Sequence, residues 1–142
     1  HKENLRVIVD AVSHAASLAS WVLNMDSDGL MAPNCLPRLL ALMDKYPRNK
    51  VFGAFNTKYH GNLEDKGDHV IKASLCEHGL VFRSDCWLPK RDIALLINID
   101  HEWGRYPCLK PSGVQHTGRL GVNSTEDDYD TDFESGWPMR RA

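Results

Sequence analysis

The sequence predicts an α/β fold: a mostly parallel sheet with flanking helices. Three observations lead there. Short apolar runs at 21–25 and 51–55 alternate with longer stretches of helical periodicity. Those runs are nearly continuous in apolar character, which suits strands covered on both faces. Acidic or Gly-rich clusters follow several of them, and open α/β sheets gather ligand-binding groups at the carboxyl ends of their strands.

Taken in order, residues 5–20 place Leu5, Val9, Val12, Ala16 and Ala19 on one helical face, with Asp10, Ser13 and Ser17 turned away. The run "WVLNM" at 21–25 reads as a buried, central strand. After Asp26-Ser27-Asp28-Gly29, the Pro33-Asn34 pair opens a second helix whose face is Leu36, Leu39, Leu40, Leu42 and Met43. Tyr46-Pro47 ends it. A strand follows at 51–55. The polar, Gly- and Asp-bearing stretch 56–70 reads as a long loop. "HGLVFRSDCW" at 78–87 predicts a strand entering a turn and a short helix, and "DIALLINID" at 92–100 is apolar and ends in acid. Beyond Pro107 a short strand is expected around 113–116, after which Gly118 and Gly121 loosen the chain. The acidic stretch 123–142 is expected to be a solvated, mobile tail.

The totals narrow the function. A chain of 142 residues is one domain's worth. A formal charge of −2 offers no electrostatic grip on nucleic acid or an anionic membrane. No apolar run approaches the roughly 20 residues of a membrane span. Cys35, Cys76, Cys86 and Cys108 lack metal or redox spacing and read as reduced, buried thiols of a cytoplasmic protein.

The pair Asp26 and Asp28 carries the chemistry. Residues i and i+2 on an extended segment point the same way, so both carboxylates can face one point just past a strand end. Hard oxygen donors so placed suit Mg²⁺ or Mn²⁺, which completes its shell with substrate phosphates. The same two residues could instead cap a helix or hold a turn. An EF-hand is excluded, because Pro37 stands where the twelfth loop position requires Glu.

The segment 21–47, with its apolar strand, "DSD", "LMAPN" and Leu-rich helix, resembles the inverting family 2 glycosyltransferases of GT-A (Rossmann-like) fold. Three later segments resemble that family in the same order: "HGLVFRSDCW", "INIDHEWGRY" and "SGVQHTG" (112–118). The resemblance spans about residues 1–120. It implies a metal-dependent enzyme moving a sugar from a nucleotide-sugar donor to a saccharide or other hydroxyl acceptor. Asp26, Ser27 and Asp28 would hold the donor through the metal, with His116 as a third metal ligand. Asp100 or Glu102 would be the general base, and His78, Gly79 and Trp103 would line the acceptor side. Family members carry an N-terminal βαβ half ahead of this region. The expectation is therefore a domain truncated at its N-terminus, with residues 1–122 as its C-terminal part and that missing half as a partner. The family's usual Glu-Asp pair is replaced here by Asp100-His101-Glu102, which leaves the choice of base open.

Two other readings compete. One is a non-catalytic fragment that binds a sugar or nucleotide. The other is a haloacid-dehalogenase-like phosphohydrolase, since "VLNMDSDGLM" also fits four apolar residues before DxDG. Asp26 would then be the nucleophile, Asp28 the acid/base and Lys110 the phosphate's counter-charge, with Asp127 and Asp128 on Mg²⁺. A helix preceding the nucleophile strand argues against that fold.

Overall fold

The computed structural model describes residues 2–25, 29–57, 61–74, 78–87 and 105–116. Along these, α1 (Lys2–Leu18) leads into β1 (Trp21–Asn24) and β2 (Gly29–Met31). Next come α2 (Cys35–Lys45), β3 (Val51–Gly53), β4 (Asn62–Asp65), β5 (His69–Lys72) and β6 (Leu80–Arg83). The last elements are α3 (Ser84–Trp87), β7 (Tyr106–Leu109) and β8 (Val114–His116).

Six strands form one sheet in the order β1-β6-β3-β7-β5-β4, and β2 pairs with β8 in a small second sheet. This is the α/β class expected, but the sheet is mixed rather than mostly parallel. Strands β1, β3, β7 and β4 share one direction, while β6 and β5 run against them. Because β6 inserts between β1 and β3, and β5 between β7 and β4, only the β3–β7 ladder is parallel. The expectation of a central place for residues 21–25 needs correcting. Among the described residues β1 is an outer strand, half-buried along its length, with only β6 beside it.

The sheet divides two cores. On one face α1 contributes Val9, Val12 and Ala16, which pack with Val51, Val70, Phe82, Trp87 and Tyr106. Ser13, expected to face away, lies at the edge of this contact and accepts a hydrogen bond from Trp87 Nε1 at 3.1 Å. On the other face α2 supplies Cys35, Leu39 and Leu42 against Phe52, Val81, Leu109 and Val114. Strand β1 alternates between the two cores, Val22 toward the first and Trp21 and Leu23 toward the second.

The predicted face of α2 is rotated. Leu36 and Leu40 are 53% and 52% exposed, while Cys35, Leu39 and Leu42 are buried. A helix so rich in leucine offers two overlapping stripes, and one helix can bury only one of them. Gly113 decides between them. A Cβ there would stand 2.6 Å from Cys35 Sγ and 2.9 Å from Leu109 Cδ1, so the missing side chain makes the notch that Cys35 fills. At its far end α2 stops as expected: the Tyr46 N–H bonds back to Leu42 O and Met43 O, and Pro47 follows.

Two strands depart from the sequence reading. The stretch 56–70, expected to be a loop, holds β4 and the start of β5, which form a hairpin. Its turn is set by Asp65, whose Oδ1 accepts the Gly67 N–H at 2.9 Å, and by Lys66 N–H to His69 O. Strand β7, which begins with Tyr-Pro, falls where the sequence reading places no strand. The parallel ladder registers only at Gly53↔Cys108, so the missing N–H of Pro107 interrupts no β3 pairing.

The hairpin is pinned to α2 by a polar chain. Tyr46 Oη lies 2.7 Å from His69 Nε2, and His69 Nδ1 lies 2.6 Å from Asp68 Oδ1. Asp68 also pairs with Lys45, and Lys110 pairs with Asp65. The contact to His69, then that to Lys45, lowers the Asp68 carboxyl below its ordinary value. The Lys110 contact and the Gly67 amide do the same for Asp65. A depressed folded-state pKa stabilises above the unfolded carboxylate value of about 3.9, and that contribution disappears as pH falls through the lowered one. Melting temperature should therefore fall below about pH 4. Asp68→Asn should flatten that fall while costing little at pH 7, where these pairs are solvent-screened. Thermal melts from pH 7 to pH 3 read both effects, and an unchanged acid slope in the variant would remove Asp68 from the account.

Among the described residues no helix is long and apolar enough to cross a membrane. Cys35, Cys86 and Cys108 are free thiols. The expected tail 123–142, and with it the 1–122 domain boundary, lies outside the described residues, as does the run 92–100.

Candidate functional site

Strand β1 leads the chain toward "DSD", and β2 carries it away. Residues 26–28 themselves lie outside the described residues, but both flanks are fixed. On the far flank, Gly29 is the register partner of His116, Leu30 of Gln115 and Met31 of Val114. The "VQH" of the late segment "SGVQH" is thus paired, residue for residue, with the strand that begins directly after Asp28. Only the backbone of His116 is described.

The segment 54–57, which continues β3, is the hub behind this pairing. All four of its residues are buried. Ala54 O accepts N–H bonds from Gly113 (2.7 Å) and Val114 (3.2 Å), and the Ala54 N–H donates to Gly79 O (2.8 Å). Gly113 O accepts from the Ala32 N–H at 2.8 Å, closing the circuit back to β2. Asn56 N–H donates to Ser112 Oγ at 2.8 Å, and Lys72 Nζ donates to Thr57 O at 2.7 Å. Four segments distant in sequence are so locked around one strand end.

Lys72 is the least expected member, being only 1% exposed. An ammonium taken out of water costs several kcal/mol unless hydrogen-bonded, so its bond to Thr57 is structurally consequential. Ser112 and Gln115 are equally buried, at 0% and 1%. Sequence reasoning missed Asn56, Thr57, Lys72, Ser112 and Gln115. The one available signal was a lysine closing the short strand "HVIK" directly after Val70-Ile71.

His78 and Gly79 open β6 beside this hub. His78 is 4% exposed, and its ring meets Phe55 edge-on at 5.1 Å. Gly79 has φ +67°, the left-handed region, and an added Cβ would stand 3.3 Å from the Phe55 backbone nitrogen. Both residues therefore have packing work here. Gly113, in the same circuit, admits the Cys35 side chain.

On the α2 side, Arg38 Nη2 donates to Pro111 O at 2.6 Å, and its buried Nη1 meets no acceptor among the described residues. Burial pushes the Cys35 thiol up to about 11, with Arg38 opposing, so it stays protonated at neutral pH and is no thiolate nucleophile. Lys110, the counter-charge of the phosphohydrolase reading, is engaged by Asp65.

Asp26, Ser27, Asp28, Asp100, Glu102 and Trp103 lie outside the described residues, as do Asp127 and Asp128. Among the described residues no three His, Cys, Asp or Glu side chains gather as a metal site.

Comparison with known proteins adds one finding. The family model for glycosyl transferase family 2 matches residues 4–110, most of the chain. No curated protein and no solved structure matches it. The matched span runs from α1 through β7 and includes "DSD", the hub at 54–57 and the acidic segment around 100. The chain belongs to glycosyl transferase family 2.

Proposed function

We propose that this chain transfers a sugar from a nucleotide-sugar donor to an acceptor hydroxyl with inversion, using Mn²⁺ or Mg²⁺ held by Asp26, Asp28 and His116. Family membership supplies glycosyl transfer as the chemistry. The observation supporting the metal reading is the Gly29↔His116 register, which sets the backbone of residue 116 across from the residue after Asp28. Two carboxylates and an imidazole are also a donor set that fits a divalent ion of this kind. Such an ion, when bound, would supply Lewis-acid stabilisation of the charge that develops on the leaving diphosphate.

The remaining roles fall to the chain's own groups. Asp100, or Glu102 in its place, takes the proton from the acceptor hydroxyl as its oxygen attacks the anomeric carbon. The bond from that carbon to the phosphate oxygen breaks on the opposite side, and the diphosphate departs with the electron pair. His78, Gly79 and Trp103 line the acceptor side. An N-terminal half holding the nucleotide base would pair along the outer edge of β1, where the described residues supply no neighbouring strand.

Titration with Mn²⁺ tests the reading. Binding should be saturable, abolished in Asp28→Asn and weakened in His116→Ala. A donor imidazole must be neutral, so affinity should fall as pH drops through about 6.5, and His116→Ala should flatten that dependence. Unchanged affinity in Asp28→Asn would place the metal elsewhere. Aryl phosphatase activity lost on Asp26→Asn, with beryllofluoride trapping, would favour the phosphohydrolase instead.

A further inference from the structure

A cleft of about 370 Å³ lies away from the hub. Tyr46 and Asn49, just past α2, form one wall, and Glu64 and Lys66 at β4 form the other. Ile71 and Pro107, paired across β5 and β7, lie between them, and Arg105 and Tyr106 border the cleft at the start of β7, the Tyr106 ring itself being turned into the α1 core. Tyr106 begins β7 and Pro107 pairs with Ile71, so the cleft opens at the amino-terminal end of β7. The hub and β8 lie beyond that strand's other end. The volume falls within the range of small-molecule sites.

The balance of hydrogen-bonding groups indicates what would fit. Glu64 lies between two cations, its Oε2 2.6 Å from Lys66 Nζ and its Oε1 on Arg105 Nη2. These contacts engage both carboxylate oxygens but use one donor of each cation. A guanidinium has five N–H donors and an ammonium three, so most remain available. The three charges leave a net of +1, and Asn49 adds an amide. Tyr46 Oη is already bonded to His69. The lining is therefore rich in donors and cationic, beside the apolar surface of Ile71 and Pro107 and the Tyr46 ring.

We infer that this cleft is a second ligand site, taking a small acid whose carboxylate or phosphate sits on Lys66 and Arg105 and whose ring lies against Tyr46, Ile71 and Pro107. A bidentate guanidinium contact suits either oxyanion. Glu64 competes with the ligand's anion for the same donors and holds both cations in place before it arrives. The site is independent of the transfer reaction proposed above.

The test uses the full chain, isotopically labelled, titrated at low salt with phenyl phosphate, benzoate and neutral phenol while amide resonances are followed. Phenyl phosphate or benzoate should give saturable shifts centred on Asn49, Lys66, Ile71 and Arg105, with phenol at least about tenfold weaker, as expected for a charged hydrogen bond. Which acid binds more tightly identifies the oxyanion. Arg105→Gln should weaken binding about tenfold. Glu64→Gln should tighten it several-fold, a gain that damage to the fold would not produce. Shifts that stay linear with concentration, that fall outside the cleft, or that persist unchanged in both variants overturn the assignment.

Discussion

Leu39→Ala should lower the free energy of unfolding by about 2–5 kcal/mol, whereas Leu40→Ala, one residue along, should change it by less than about 0.5 kcal/mol. Leu39 is 1% exposed and packs with Phe52, Val81 and Leu109; Leu40 is 52% exposed on the other stripe of α2. Truncating Leu39 removes apolar area from the core and leaves a cavity beside strands that hold each other rigidly, so little of the loss is recovered by collapse. Alanine at position 40 keeps the helix propensity and disturbs no packed neighbour. Urea denaturation of both variants measures the contrast. Equal costs would mean that α2 lies on the sheet in the rotation its leucine count suggested.

The second large effect concerns the proposed base. Asp100→Asn should reduce glycosyl transfer by about 10²–10⁴-fold, the span that a positioned general base contributes. Glu102→Gln should then cost far less, since one carboxylate suffices to take one proton. The reverse pattern assigns the role to Glu102. The amide keeps size and hydrogen bonding but cannot accept the acceptor's proton at neutral pH, so donor affinity should change little while turnover falls. Steady-state rates with donor and acceptor varied separately read this. Full activity in both single variants would remove the acidic segment around 100 from the reaction.

The parts of the fold legible in the sequence were those whose pattern is local. The apolar run 21–25, the helix between Asn34 and Tyr46, and the strand-to-helix passage "LVFRSDCW" lie where periodicity and turn residues put them. The hairpin β4–β5 was hidden because β4 is almost wholly exposed; its strand character comes from pairing with β5, not from its own side chains. Strand β7 carries a proline at its second position, and its place in the sheet is tolerated because the neighbouring parallel ladder registers only at Gly53↔Cys108. The choice between the two stripes of α2 depended on Gly113, 78 positions after Cys35. Of the candidate site, the "DSD" and "QH" segments could be picked out by residue type. The pairing of Gly29–Met31 with Val114–His116, and the burial of Lys72 and Gln115, are tertiary facts that no window of sequence carries.

The central claim is that a divalent ion sits between the segment after β1 and the end of β8. Paramagnetic broadening tests it most directly, because unpaired electrons on Mn²⁺ relax the nearest nuclei first. At the lowest substoichiometric Mn²⁺, the amide signals of Gly29, Gln115 and His116 should broaden together, while those of Lys66 and Arg105 remain sharp. The effect should vanish in Asp28→Asn. Broadening that spares Gln115 and His116, or that begins at the acidic hairpin residues Asp65 and Asp68, would contradict the claim.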